Sequence, residues 1–291
     1  MLPTAVLLVM LLLASGDARD AGGALLGDDL RNDLVSVYSS LVARETQTAD
    51  LVPIAHTDVN PYGINVFLEQ EVEEWKIRRT LEMAHDAGFH WIKQQLRWAD
   101  IETPGKGQHF DTKNNLPETW RKYDRIVDLA REYGLDLILR LDTSPDWARP
   151  GSEKEETPPQ RFEDYGDFVY SVVARYKGRV KYYQIWNEPN WAFEWGGGQP
   201  DGAQYVQLLR IGYSRAKEAD PDSVIIAAAL APTLDESARA TNDLVFLQQM
   251  YDAGAKQWFD VMGVNAYGLR SGPEDRRLGE ASDVNFPGMF G

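Results

Sequence analysis

The chain has 291 residues, of which 43% are hydrophobic and 26% are charged, and it contains no cysteine. This composition is typical of a soluble globular protein with a sizeable core, in one large domain or two ordinary ones. The formal net charge of −15 repels nucleic-acid phosphates and anionic lipid headgroups, so we expect no nucleic-acid partner. Without cysteine, disulfide bonds and thiolate chemistry are excluded.

The N-terminus predicts export. Residues 5–14, AVLLVMLLLA, form an apolar run followed by small and polar residues. This run is too short to cross a bilayer but suits the apolar region of a secretory signal, although the usual preceding basic residues are missing. We interpret residues 1–20 as a signal peptide or a short anchor, with a buried helix as the alternative. We therefore expect a secreted or extracytoplasmic protein that touches a membrane only through this segment. Residues 21–50 read as a tether or an N-terminal helix, and residues 51–291 as the main domain.

Strand-like and helix-like segments alternate from Tyr62 onward. Apolar stretches predict strands at 62–67, 90–98, 135–142, 181–187, 223–230 and 260–268. Amphipathic stretches predict helices at 69–88, 117–134, 161–177, 202–219 and 243–254. Apolar strands that alternate with helices are typical of an α/β protein with a parallel sheet covered by helices.

Two α/β architectures fit this pattern, the open doubly wound sheet and the closed (β/α)8 TIM barrel. The first strand is followed by LEQEVEE, whose glutamates would repel the phosphate that a doubly wound fold binds at that turn. Polar and aromatic residues instead follow the predicted strands, namely Arg97, Trp98, Asp142, Asn187, Glu188, Asn265 and Tyr267. Functional groups at the C-terminal ends of the strands are typical of a barrel active site. We therefore predict an incomplete (β/α)8 barrel in which strands 1–6 are present and strands 7 and 8 are missing.

The predicted fourth strand ends in IWNEPN, which places Glu188 just past the strand, between Asn187 and Pro189. Pro189 stops the strand and fixes the backbone. A positioned, partly desolvated carboxyl group suits general acid catalysis, of which protonation of a glycosidic oxygen is a well-known case. The alternative, an ordinary surface glutamate in a turn, does not explain the adjacent asparagine or the nearby tryptophans.

Motifs along the predicted barrel resemble those of one enzyme group. RWADIETPGKGQHFD and SPDWA follow strands two and three, IWNEPN ends strand four, and AKEADPDSVIIAAAL leads into strand five. Together they resemble the retaining glycoside hydrolases of the (β/α)8 clan that includes cellulases, β-xylosidases and β-galactosidases, in the style of family 5 or family 39. The resemblance spans about residues 60 to 270.

This resemblance implies hydrolysis of O-glycosidic bonds in an oligo- or polysaccharide, with β linkages expected. Glu188 would protonate the leaving oxygen and then activate water, and Asn187 would bond the sugar 2-hydroxyl. Tyr267 matches the strand-six tyrosine that bonds the nucleophile in this group. Asn265 stands where many members have histidine, and it is a substrate-binding candidate.

Further residues at the mouth are candidates for substrate binding, each with a structural alternative. Arg97 lies where this group commonly uses an arginine to orient the nucleophile, and the alternative is an ion pair in the barrel wall. Asp142 would bond a sugar hydroxyl or make a structural hydrogen bond. Trp147, Trp191 and Trp195 lie in mouth-side loops, where they would stack on sugar rings or pack the loops.

A retaining mechanism needs a second carboxylate about 5–5.5 Å from the first, and the resemblance puts it at the end of strand seven. After the sixth predicted strand, Glu274 and Glu280 lie in a polar stretch with no strand to deliver them. We therefore expect that the sequence is part of a longer product, inactive and unstable alone. If it were active, Asp142 or Glu102 would become nucleophile candidates, although Glu102 is better explained as structural.

Other functions would each require residues or motifs that can be looked for in the sequence. The histidines at 56, 85, 90 and 109 lack metal-ligand spacing, and no G-x-S-x-G or P-loop motif is present, so we expect no metal, cofactor or nucleotide. A non-catalytic carbohydrate-binding protein on a degenerate barrel would keep the tryptophans and dispense with the nucleophile. A barrel enzyme with lyase or aldolase chemistry lacks the lysine or metal cluster that it would need at strand ends, although the fold alone does not exclude it.

Overall fold

The structure is a computed structural model that describes residues 60–233, 235 and 237–266. The expectations for residues 1–20 and 21–50, and for Tyr267, Glu274 and Glu280, lie outside these residues. Within the described ranges, no helix has both the length and the apolar character that are needed to cross a bilayer.

The described strands form a single sheet. They are β1 (Gly63–Val66), β2 (Trp91–Arg97), β3 (Asp136–Asp142), β4 (Tyr182–Ile185), β5 (Val224–Ala227) and β6 (Val261–Met262). The α-helices are α1 (Glu74–Asp86), α2 (Trp98–Ile101), α3 (Arg121–Glu132), α4 (Phe162–Tyr176), α5 (Gly202–Ala219) and α6 (Asp243–Asp252). Short 3-10 helices lie in the connections at Leu68–Gln70, Asp146–Ala148, Ala192–Trp195 and Ala255–Gln257.

Each strand pairs in parallel with the next strand along the chain, in the order β1-β2-β3-β4-β5-β6. At least one α-helix separates every pair of consecutive strands. Sequential parallel pairing with a helix in each crossover is the arrangement of a (β/α)8 barrel. The prediction of an incomplete barrel with strands 1–6 is confirmed for the part of the chain that the structure describes.

Alternation along the strands separates the core from the inner face of the barrel. In β3, Leu137, Leu139 and Leu141 are buried in the hydrophobic core with the helices. Arg140 and Asp142 occupy the intervening positions and lie on the opposite face, because successive strand side chains point to opposite sides. The predicted strand therefore delivers charged groups to the inside of the barrel while its leucines hold it to the helices.

Most described elements are shorter than predicted, and two of the differences have a clear local cause. The helix predicted over 69–88 begins only at Glu74, because the backbone of Glu73 is extended and the residues before it form a separate 3-10 turn. The strand predicted over 260–268 is limited to Val261–Met262. Its pairing stops at Met262 because Met262 faces Ala227, the last residue of β5.

Asn190 joins the loops that follow β4 and β5. Its side chain is 0% exposed. Its amide nitrogen donates hydrogen bonds of 2.7 Å to the Ala231 carbonyl and 3.1 Å to the Thr241 carbonyl. Its side-chain oxygen accepts a 2.7 Å hydrogen bond from the Ala231 N–H. One buried side chain thus fixes the loop that carries the IWNEPN motif against the next loop of the barrel mouth.

The substitution Asn190→Ala is expected to lower the free energy of unfolding by about 3 kcal/mol, because it leaves three buried backbone groups without partners. The measurement is urea denaturation followed by circular dichroism. Gln248→Ala is the control, since its exposed side chain bonds the exposed Asp252 and its loss should cost less than about 0.5 kcal/mol. Equal stability of the two variants would contradict this role for Asn190.

Candidate active site

The inner face of the sheet carries polar side chains near the C-terminal ends of β2 and β3. Gln95 pairs in register with Arg140, and Arg97 pairs with Asp142. Registered residues of parallel strands project to the same face, so these side chains lie side by side at the mouth of the barrel. This end of the strands is where barrel enzymes place their active sites.

Asp142 is buried within this group, with 3% of its surface exposed. Its Oδ2 atom lies 2.6 Å from Arg140 Nε, and its Oδ1 atom accepts a 2.7 Å hydrogen bond from Gln95 Nε2. Burial raises the pKa of Asp142, while the charge of Arg140 and the Gln95 hydrogen bond oppose the rise. Because both carboxylate oxygens are engaged by protein groups, the structure favours the structural alternative for Asp142 over a direct bond to a sugar.

The chain leaves β4 in a strained conformation that positions Glu188. Trp186 has a φ of 68° and Glu188 a φ of 37°, in the left-handed region that costs a non-glycine residue about 1 kcal/mol or more. The Trp186 N–H donates to the Leu141 carbonyl at 3.0 Å, and the Glu188 N–H donates to the Ala229 carbonyl at 3.2 Å. The neighbouring segments thus hold a backbone geometry of the kind that clusters at functional sites.

The half-buried carboxyl group of Glu188 is held by a side chain that follows β6. Asn265 Nδ2 donates a 2.6 Å hydrogen bond to Glu188 Oε1. Burial raises the pKa of Glu188, and the charges of Arg140 and Lys93 and the Asn265 hydrogen bond limit the rise. A carboxyl group with a raised pKa keeps its proton closer to neutral pH and can act as a proton donor there.

Asn187 links Arg140 to a carboxylate that the sequence analysis missed. Arg140 Nη1 donates a 3.3 Å hydrogen bond to Asn187 Oδ1, and the Asn187 side chain also acts on Glu194, whose pKa it lowers. Glu194 lies in the 3-10 helix Ala192–Trp195, where its backbone carbonyl accepts a 2.8 Å hydrogen bond from Trp186 Nε1. Because Asn187 accepts from Arg140 through its oxygen, its amide nitrogen is the group that can donate to a neighbouring carboxylate or hydroxyl.

The environment of Glu194 perturbs its ionisation strongly. Burial raises the pKa of Glu194 to about 7, and the charge of Asp142 adds to the rise. Arg140 and the Asn187 hydrogen bond oppose it, while Glu188 adds a smaller rise. The signal in the sequence was an acidic residue inside the aromatic run WAFEW, six positions after Glu188.

Lys93 is a second residue of this site that the sequence analysis missed. Burial and, to a smaller extent, the charge of Arg140 lower the pKa of Lys93 to about 8, against the opposing charges of Asp142 and Glu188. Lys93 therefore contributes a cation whose field reaches both carboxylates. The signal in the sequence was the spacing in β2, where Lys93 precedes Gln95 and Arg97 by two and four residues and so projects to the same face.

Arg97 forms ion pairs with carboxylates of the adjoining segments. It pairs with Glu155, which lies after β3, and its Nη1 atom lies 3.5 Å from Asp100 Oδ1 in α2. The structure thus favours the ion-pair alternative for Arg97 over the orientation of a nucleophile. Glu102 is buried and accepts a 2.8 Å hydrogen bond from Trp98 Nε1, in agreement with its structural interpretation.

The candidate tryptophans lie in different environments. Trp195 is 5% exposed and packs edge-to-face on Trp186, with ring centroids 5.9 Å apart. For Trp195 the structure favours the loop-packing alternative over a stacking platform, because a buried ring offers no face to a sugar. Trp147 is half-buried, and its Nε1 atom donates a 2.6 Å hydrogen bond to the Glu102 carbonyl. Trp191 is 41% exposed and retains an accessible ring.

The groups gathered at the mouth are suited to proton transfer. Two carboxyl groups with raised pKa values, Glu188 and Glu194, lie within the electrostatic reach of Arg140. Among the described residues, no three His, Asp or Glu side chains are placed to hold a metal ion. Such a site can hold a proton on one carboxyl group near neutral pH, release it to a bound ligand and bond a neighbouring hydroxyl through Asn187.

No family model matches the sequence, and no curated protein matches it. Among solved structures, the fold is similar to that of a family 39 glycoside hydrolase from the gut symbiont Bacteroides cellulosilyticus. The TM-score is 0.54, and the two are 20% identical over 75% of this chain. This chain spans 40% of the length of that structure.

Two further structures match at TM-scores below 0.5. An exo-β-1,4-mannosidase from an Opitutaceae bacterium has a TM-score of 0.43 and 18% identity, with 57% of this chain and 31% of that chain covered. An endo-β-1,4-mannanase from Thermotoga petrophila has a TM-score of 0.45 and 18% identity, with 57% of this chain and 42% of that chain covered. The family 39 match establishes the shared fold, a partial (β/α)8 barrel, in agreement with the parallel strands described above.

The raised pKa of Glu194 predicts a pH-dependent gain in stability for Glu194→Gln. The pKa of Glu194 is about 7 in the folded chain against 4.5 for a free glutamate, so the folded state binds more protons than the unfolded state between these values. Stability therefore falls as pH rises through this window. Removing the carboxylate should raise the free energy of unfolding by about 1–3 kcal/mol at pH 8 and change it little at pH 4.

The measurement is urea denaturation of both proteins at the two pH values. Glu132→Gln is the control, because Glu132 pairs with Arg78 on the exposed helix surface, where the loss of an ion pair costs about 0.5 kcal/mol or less. A Glu194→Gln variant that is equally destabilised at pH 4 and pH 8 would contradict the burial of an ionisable group at this position.

Proposed function

We propose that the chain carries the acid/base half of a retaining O-glycoside hydrolase site that acts on β-linked oligo- or polysaccharides. The observation that carries the proposal is the placement of Glu188 at the C-terminal end of β4, with a half-buried carboxyl group, a raised pKa and a strained backbone. The fold shared with a family 39 glycoside hydrolase supports it at the level of architecture.

In the first step, Glu188 donates its proton to the glycosidic oxygen as the bond to the leaving sugar breaks. Burial supports this step, because it keeps Glu188 protonated at a higher pH than a free glutamate. The resulting carboxylate is stabilised by the Asn265 hydrogen bond and by the charges of Arg140 and Lys93. In the second step, Glu188 takes a proton from water as the glycosyl intermediate is hydrolysed.

Asn187 bonds the 2-hydroxyl of the sugar that is being cleaved. Its Oδ1 atom is occupied by Arg140, and its amide group lowers the pKa of Glu194. The amide N–H donors remain for the 2-hydroxyl, and hydrogen bonds to this hydroxyl contribute to the stabilisation of the transition state. Glu194 and Arg140 thus act through Asn187 as positioning residues.

The nucleophile of this mechanism lies, in our proposal, outside the described residues and is delivered by a seventh strand. The other carboxylates of the mouth fit the role poorly. Asp142 has both oxygens engaged by Arg140 and Gln95, and Glu102 is buried beneath Trp98. We further propose, from the apolar run at 5–14, that the protein acts outside the cytoplasm.

The test is the Glu188→Gln variant of the full-length gene product. We expect hydrolysis of β-linked oligosaccharides to fall by about 10²–10⁴-fold. Hydrolysis of aryl β-glycosides with good leaving groups should fall less in its first step, since such groups need no proton. Azide should restore turnover of these substrates by replacing water, with a glycosyl azide as product.

The control is Glu132→Gln, on the exposed surface of α3, which should leave the rate unchanged. Unchanged oligosaccharide hydrolysis by the Glu188→Gln variant would contradict the proposal. A full-length product that binds β-linked oligosaccharides but hydrolyses none would also contradict it, and would favour the non-catalytic carbohydrate-binding protein.

A further inference from the structure

A groove lies on the helical side of the barrel, between α1 and α3. Its volume is about 940 Å³, within the range of about 300–1,000 Å³ that is typical of small-molecule sites. Glu74 and Arg78 of α1 line one side, residues of α3 from Arg121 to Glu132 line the other, and most of the loop 111–119 contributes as well. We call it the outer groove, because these helices pack on the face of the sheet that is opposite the mouth residues.

The carboxylates that line the outer groove are already held by protein donors. Glu74 and Glu132 both pair with Arg78, at 2.8 and 2.7 Å. Asp124 and Asp128 pair with arginines of α4 and of the segment after it. The others each accept from a lysine, an arginine or an N–H group, and they are Asp100, Asp111, Glu118, Asp146 and Glu155. The carboxylates are therefore largely neutralised by the protein itself.

Two arginines that line the outer groove lack such a partner. Arg121 and Arg125 lie four residues apart on α3, and this spacing places them on the same side of a helix. Neither forms an ion pair within the described ranges, and Arg125 Nε is buried without a hydrogen-bond partner there. A buried donor without a partner costs free energy, which a ligand that supplies an acceptor can recover.

The charges of the outer groove disfavour ions of either sign. Carboxylates outnumber cationic side chains along it, and the whole chain carries a net charge of −15, so the field repels an anionic ligand. The groups that remain to be bonded are guanidinium groups, which repel a cationic ligand at close range. A neutral ligand rich in hydroxyl and ether oxygens meets both conditions, because its oxygens accept from guanidinium N–H groups.

The apolar residues of the outer groove suit the same kind of ligand. Leu116, Pro117 and Pro145 line it, and Leu116 is 48% exposed. These small apolar surfaces alternate with charged groups along the groove. A pyranose ring presents C–H groups on its faces and hydroxyl groups at its edges, so an oligosaccharide can contact both kinds of surface at once.

We propose that the outer groove is a second carbohydrate-binding site, outside the barrel mouth, which takes a neutral oligosaccharide. Arg121 and Arg125 donate hydrogen bonds to its hydroxyl and ring oxygens, and Leu116 contacts its C–H groups. The proposal concerns binding alone and does not rest on the function proposed for Glu188.

Binding is tested by isothermal titration calorimetry of the full-length gene product with cellohexaose, mannohexaose and xylohexaose. Tetragalacturonate serves as the anionic probe and spermine as the cationic one. At least one neutral probe should bind more tightly than either ion, and it should slow hydrogen–deuterium exchange in residues 111–125. The double variant Arg121→Ala/Arg125→Ala should weaken this binding about 10-fold or more, the loss expected when hydrogen bonds from charged donors are removed.

Arg131→Ala is the matched control. Arg131 is an exposed arginine of the same helix that does not line the outer groove, so its loss should leave both the affinity and the protection of residues 111–125 unchanged. The double variant should keep the melting temperature of the parent, because its two side chains have no ion pair to lose. The Glu188→Gln variant should protect residues 111–125 as the parent does, which separates this site from the catalytic proposal.

Four results would overturn the proposal. The first is equal affinity of the parent and the double variant, and the second is protection confined to the mouth, at residues 186–195. The third is tighter binding of tetragalacturonate or spermine than of every neutral probe. The fourth is a double variant with a lowered melting temperature in a protein that binds no probe, since another part of the chain would then fill the outer groove.

Discussion

The arrangement of polar side chains at the mouth of this barrel depends on the contacts of the Arg140 guanidinium. It lies 2.6 Å from the buried carboxylate of Asp142 and donates to the Asn187 side chain. Its charge also limits the rise in the pKa values of Glu188 and Glu194. Without a cation on the inner face of β3, the carboxylates of this mouth would repel one another in a partly desolvated space, and the Asn187 amide would lose its orientation.

The fold makes this arrangement possible because the residues that pack the core and the residues that line the mouth lie on opposite faces of the strands. The leucines of β3 hold the strand against the helices, and its alternate positions carry the ion pair. Beyond β4, the chain adopts left-handed backbone angles at Trp186 and Glu188, and the buried Asn190 clamps the loop that follows. The local strain at the mouth is thus offset by hydrogen bonds and core packing on either side of it.

Apolar periodicity predicted nearly all of the described fold, because the strands and helices bury one face each. The pattern also predicted Glu188 at the mouth, since the end of a parallel strand is visible in the sequence. Glu194 and Lys93 were missed because their effects arise from side chains that meet only in three dimensions. For Trp195 the choice between stacking and packing stayed open for a related reason, since a tryptophan in a glycine-rich loop gives no sign of whether its ring faces solvent or the core.

The central claim is that Glu188 meets the oxygen of the bond to be cleaved. The most direct measurement is a crystal structure of the Glu188→Gln variant of the full-length gene product with a bound oligosaccharide. We expect the side chain at position 188 to lie about 3 Å from a glycosidic oxygen, with the Asn187 amide nitrogen bonded to the 2-hydroxyl of the adjoining sugar. A sugar chain bound with every glycosidic oxygen beyond the reach of position 188 would contradict it.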